Sequence, residues 1–184
     1  SIHLYYAMAF VSQGIPVLVE KPLADTTRGL RELVAKAAEH HVRAAVAYNL
    51  RYKPSLQYVR QQVLTGDIGD VVSVRAEVGQ YLPDWRPGTR YQDNVSAQAA
   101  LGGGALLELS HELDYLYWMF GLPHSVTARG GRLSALELDV EDLVELLLEY
   151  ENPRRLVSVH LDFIQRVSHR SCRIIGSQGT LVWD

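Results

Sequence analysis

An α/β fold in two unequal parts is predicted for this chain, and three patterns predict it. Up to about residue 50, helical periodicity alternates with short, wholly apolar runs, as in a parallel sheet covered on both faces. Beyond Pro54, apolar residues instead alternate singly with polar ones, as in a mostly antiparallel sheet with one wet, open face. Glycines 102–104 interrupt that second region and open a long amphipathic helix.

The elements follow in order. Leu4, Ala7, Met8 and Val11 recur at helical spacing, and Gly14 suits the residue after a helix end. A buried strand spans 16–19. In "ADTTRGLRELVAKAAEHH", Asp25, Thr26 or Thr27 can cap a second helix whose stripe is Leu30, Leu33, Val34, Ala37 and Ala38, with Glu32 and Lys36 paired on its wet face. Residues 43–49 form the next strand. Pro54 suits the first position of a third helix carrying Leu56, Val59, Val63 and Leu64, which Gly66 closes. Val72, Val74, Ala76 and Val78 alternate with Ser73, Arg75 and Glu77, which predicts a strand over 71–81. The same alternation predicts strands at 143–150 and 156–163, with shorter ones at 125–129, 171–176 and 180–183. A helix is expected over 105–120, with Leu109, Leu113, Leu116 and Phe120 as its core face and Gly121 as its stop. The domain boundary falls near residue 50: one domain over 1–50, a second over 51–184.

Bulk properties narrow the function. With 47% hydrophobic and 21% charged residues among 184, the chain can bury a substantial core. A net charge of −3 gives no electrostatic reason to bind nucleic acid or an anionic membrane. No apolar stretch reaches the roughly 18 residues of a membrane span. Cys172 is the only cysteine, so an internal disulfide is excluded and a cytoplasmic setting is the default. The histidines show no metal-site spacing, and no metal is expected. The start, "SIHLYYAMAF", has neither an initiator Met nor a signal-peptide pattern, and reads as a piece of something longer.

The chemistry is expected at a strand end. In "VLVEKPLAD", an acid, a base and a proline follow an apolar run directly, placing Glu20, Lys21 and Pro22 at the rim of the parallel sheet. The next strand ends at the same rim with Tyr48 and Asn49, then Arg51. Ligands bind beyond the carboxyl ends of such strands. Glu108, His111 and Asp114 recur at i, i+3 and i+6 in the helix after the glycines, where a carboxylate one turn away can orient an imidazole and raise its pKa toward neutral. Trp85, Arg86, Arg90 and Tyr91 lie in an unusually long connection and offer flat surfaces and fixed charge for a sugar ring or an anion. Each has a plainer reading: a surface ion pair for Glu20 and Lys21, a satisfied helical histidine for His111, a flap covering the core for Trp85 and Tyr91.

Taken together, "GIPVLVEKPLA" preceded by His3, "AYNLRYKP", "GDIGDVVSVRAE", "LGGGALLELSHELDYLYWMFG" and "IIGSQGTLVWD" resemble the Gfo/Idh/MocA oxidoreductases over nearly the whole chain. The resemblance implies a C-terminal remnant of a Rossmann parallel sheet followed by an α+β domain with a mostly antiparallel open-faced sheet. It implies hydride exchange between NAD or NADP and a secondary alcohol or ketone of a sugar, cyclitol or derivative. Lys21 and His111 are then the catalytic pair. Glu20, Pro22, Asn49 and Arg51 serve the cofactor, and Tyr48, Trp85, Arg86, Arg90, Tyr91, Glu108 and Asp114 the substrate. A cis bond before Pro22 and a homo-oligomer through the open sheet face are further implications. Two departures stand out. Leu107 occupies the position where the family pattern has an aspartate, four residues before His111, and no G-x-G-x-x-G occurs. The expected part is therefore one that binds no dinucleotide alone. A non-catalytic sugar-binding sensor and a redox-neutral, NAD-using glycosidase remain the alternative readings.

Overall fold

The computed structural model describes residues 2–184. Helix α1 (His3–Val11), strand β1 (Val17–Val19), helix α2 (Leu30–Glu39) and strand β2 (Ala44–Val46) form the first unit. The strands are parallel, with Val17 opposite Ala44 and Val19 opposite Val46. Ala7 and Val11 of α1 meet Leu33 of α2 in a small core that also holds Val17 and Val19. The strand is not buried throughout, as its apolar run suggested: Leu18 is 74% exposed. Nor does α2 begin at Asp25–Thr27. Gly29, at φ +81°, occupies its cap position without a side-chain cap, because the Thr26 hydroxyl instead accepts the Arg28 N–H at 3.3 Å in a local turn. The second strand is shorter than the apolar run, since Tyr48 and Asn49 bond back to Val46 and Ala47 and lead into a 3-10 turn, Asn49–Tyr52.

Helix α3 (Pro54–Thr65) has Pro54 in its first turn and Gly66 at φ +78° at its end, the positions at which fixed φ and left-handed freedom are needed. Six strands follow: β3 (Val71–Gly79), β4 (Ser125–Gly131), β5 (Leu143–Glu151), β6 (Arg154–Asp162), β7 (His169–Gly176) and β8 (Thr180–Trp183). They form one sheet in the order β4-β5-β6-β3-β7-β8, antiparallel throughout except for the parallel β3–β6 pair. Val74, Val157, Val159, Leu161, Cys172 and Ile174 are buried on one face. Arg75, Glu77, Ser158, His160 and Arg173 alternate with them on the other, open face. Leu56 and Val59 of α3 and Tyr115, Leu116 and Met119 complete one core with the covered face, each large side chain contributing roughly 1.5–3 kcal/mol of burial.

The helix expected over 105–120 is two helices, α4 (Ala105–Glu108) and α5 (His111–Phe120), separated by Leu109 (φ −100°, ψ 23°) and Ser110. The core face is also rotated from the predicted stripe. Glu112, Tyr115, Leu116 and Met119 are buried in α5, while Leu113 and Phe120 are only partly so. The glycines before α4 have a steric cause. A Cβ on Gly103 would strike the Val95 carbonyl oxygen, and one on Gly104, at φ +108°, would strike the Glu141 carboxylate. That carboxylate accepts the Leu106 N–H at 3.0 Å and so closes the start of α4.

Candidate active site

Because β1 and β2 run parallel and in register, their carboxyl ends deliver Glu20–Lys21 and Tyr48–Asn49 to one rim. The Lys21–Pro22 bond is cis, and His3 Nδ1 donates to the Pro22 carbonyl at 2.9 Å. The break between α4 and α5 decides what Lys21 meets. Ending a helix frees its last carbonyls, and the Lys21 ammonium donates to the Glu108 carbonyl at 2.7 Å, with Glu108 Oε2 at 3.6 Å. The lysine side chain is 19% exposed, so the ion pair is largely removed from water.

The same break makes His111 the first residue of α5. Its Nδ1 is buried without a hydrogen-bond partner among the described residues, which leaves Nε2 as the ring nitrogen available to a ligand. The Tyr48 ring stands edge-on to the imidazole at 5.6 Å, and the Tyr48 hydroxyl reaches Ser110 Oγ at 3.4 Å. Burial, then the neighbouring charges of Lys21 and Arg170, lower the His111 pKa from 6.5 to about 4, against smaller opposing effects of Asp114 and Glu20. This reverses the sequence-based expectation of a pKa raised by a carboxylate. Glu108 lies across the break and pairs with Lys21, and the effects of Asp114 and Glu20 are too small to offset burial and the two cations. His111 is a neutral acceptor at neutral pH.

Asp114 does not turn to the imidazole either. Its two oxygens take the Arg51 fork at 2.7 and 2.6 Å, tying the turn after β2 to α5. Arg51 and Asp114 therefore brace the site through each other. Lys21, Tyr48, Glu108 and His111 come together as the sequence suggested. Trp85, Arg86, Arg90 and Tyr91 do not join them through any contact among the described residues. Trp85 packs edge-on against Phe163 at 5.2 Å and donates to the Gln80 carbonyl, and the Tyr91 hydroxyl accepts the Glu137 N–H. Arg86 bonds Asn94 and Arg90 faces Asp93, both at the surface.

Sequence reasoning passed over Glu112 and Arg170. Glu112 is fully buried beside His111 and accepts Arg170 Nε at 2.8 Å. A signal existed: Ala105, Leu109, Glu112, Leu116 and Met119 follow one helical stripe, and a carboxylate inside an apolar stripe needs a partner. Arg170 carried no such local sign.

A model of the GFO/IDH/MocA C-terminal domain matches residues 56–182, and a model of an oxidoreductase family with an NAD-binding Rossmann fold matches residues 1–48. Over 159 residues the chain is 31% identical to a trans-1,2-dihydrobenzene-1,2-diol dehydrogenase of Xenopus laevis, covering 85% of this chain and 45% of that protein. GenD2 from gentamicin A biosynthesis, solved in complex with NAD, superposes with a TM-score of 0.87 at 28% identity, over 100% of this chain and 52% of the other. The WlbA dehydrogenase of Bordetella pertussis, solved with NADH and UDP-GlcNAcA, gives 0.86 at 25% identity, over 98% and 56%. The chain spans about half the length of the curated relatives it matches.

Proposed function

The chain belongs to the GFO/IDH/MocA oxidoreductase family, and on that premise we propose that the protein is an NAD(P)-dependent dehydrogenase acting on a secondary alcohol or ketone of a sugar, cyclitol or sugar derivative. Residues 1–50 then serve the cofactor and 51–184 the substrate. One observation carries the reading: from two neighbouring strand ends, Lys21 reaches the Glu108 carbonyl at 2.7 Å and Tyr48 stands edge-on to the His111 ring at 5.6 Å, so an ammonium and an imidazole far apart in sequence gather at one helix break.

The donor set fits the reactive end of a dinucleotide. Lys21, Glu20 and Pro22 stand at the carboxyl end of β1, with Asn49 beside them at the end of β2. No glycine-rich phosphate cradle lies within the 184 residues, so these side chains would contact the nicotinamide end alone. NAD(P), when bound, supplies the hydride acceptor or donor. The protein's part is the proton. His111 Nε2 takes it from the substrate hydroxyl, and the Lys21 ammonium, held by the Glu108 carbonyl, stabilises the alkoxide character that develops on oxygen. Tyr48 holds the imidazole ring against rotation. Relatives solved with NAD and with NADH support the cofactor assignment. The polar open face of the six-stranded sheet is the surface assigned to self-association.

Nicotinamide absorbance on mixing the protein, NAD+ or NADP+ and a panel of sugars and cyclitols tests the activity. Lys21→Met and His111→Asn are each expected to lower turnover roughly 10²-fold or more. Near-normal turnover in both variants rejects the assignment.

A further inference from the structure

We propose that Arg170, oriented by the buried Glu112, is a specificity residue that reads an oxyanion on the substrate; this deepens the dehydrogenase reading of the same site and rests on it. Along β7 the covered face carries Arg170, Cys172 and Ile174 in alternation. The last two are fully buried, but the Arg170 side chain is 34% exposed. The helical layer therefore ends over Arg170, and solvent reaches down to the sheet there. Its only side-chain hydrogen bond among the described residues runs from Nε to Glu112 Oε1, at 2.8 Å. That leaves the Nη edge of a planar fork without a protein acceptor.

A guanidinium clamped through Nε with its Nη edge open is the geometry that receives a planar oxyanion or a phosphate. Its place relative to the chemistry follows from Glu112, which holds Arg170 Nε at 2.8 Å and adjoins His111 in α5. The clamp does not cancel the charge it orients. Burial pushes the Glu112 carboxyl up to about 7, so near neutral pH the pair keeps part of its positive charge. A carboxylate and a phosphate offer the same acceptors, and a panel of probes separates them.

The probes are D-glucuronate, D-glucose 6-phosphate and D-glucose, with binding to the protein followed by ligand-detected NMR with and without NAD+. One acid is expected to bind about 10-fold or more tighter than glucose. The better acid names the source of the oxyanion. Arg170→Met is expected to erase that preference while leaving glucose unchanged, Arg170→Lys to keep part of it, and Glu112→Gln to reduce it several-fold by releasing the fork. Because Arg170→Met strands a buried carboxylate, the double variant Glu112→Gln/Arg170→Met, checked by thermal melting, repeats the test without that burden. Absence of an Arg170-dependent preference for either acid overturns the proposal. Hydride transfer is read separately. Acid preference without turnover keeps Arg170 and rejects the dehydrogenase reading, whereas turnover without the preference does the reverse.

Discussion

Replacing Lys21 by Met removes the larger of the two cationic effects on His111 and leaves its burial in place, so charge and burial can be separated as causes of its low proton affinity. Burial is the largest of the effects that bring the imidazole from 6.5 to about 4, Lys21 the second and Arg170 the third. A share smaller than that of burial, with Arg170 still in place, corresponds to a rise of about one pH unit, a tenfold gain in proton affinity. The assay is a pH titration of the His111 ring signals by NMR in histidine-labelled protein, assigned with His111→Asn. Wild-type protein is expected to titrate near 4, Lys21→Met about one unit higher, and Lys21→Arg, which keeps the charge, close to wild type. High salt should move the wild-type midpoint only slightly, since the lysine is 19% exposed and poorly screened. An unchanged midpoint in Lys21→Met would place the ammonium away from the imidazole and remove the premise of a shared site. A wild-type midpoint at 6.5 would refute the buried imidazole itself.

His160 lies between Glu145 (2.6 Å) and Asp162 (2.8 Å), which together raise its pKa from 6.5 to about 9. Its stabilising contribution is complete below 6.5 and is lost as the pH rises through 9. Melting temperatures should fall across that window in the wild type and much less in His160→Asn; parallel curves would count against the pairing. Gly103→Ala drives a Cβ into the Val95 carbonyl oxygen and should destabilise by more than about 1 kcal/mol in denaturant titration. Gly131→Ala, which meets nothing within 4 Å, should cost much less. Equal losses would reject the steric account.

Much of the fold was legible because its signals are short-range. Pro54 and Gly66 bound α3 since each allows the backbone angle its position needs. The alternation in 71–79, 143–150 and 156–162 reports one wet and one dry face wherever the strand is placed. The rim residues Lys21 and Tyr48 were visible because a polar group directly after an apolar strand has only the sheet's edge to occupy. The helix over 105–120 was misread because periodicity scarcely registers a two-residue break, and Leu109 keeps its place in the apolar stripe across it.

Patterning along the chain was enough for the fold class, the order of the elements and four of the groups that gather at the helix break, since these follow from backbone preferences and from sorting apolar from polar side chains. Which charge faces which is settled by the folded chain alone. Glu108 takes Lys21, Asp114 takes Arg51 and Glu112 takes Arg170, joining three carboxylates of one short helical stretch to cations from three distant elements. Those pairings, the parallel contact of β3 with β6 and the neutral state of His111 depend on distance and burial in space, and spacing along a chain encodes neither.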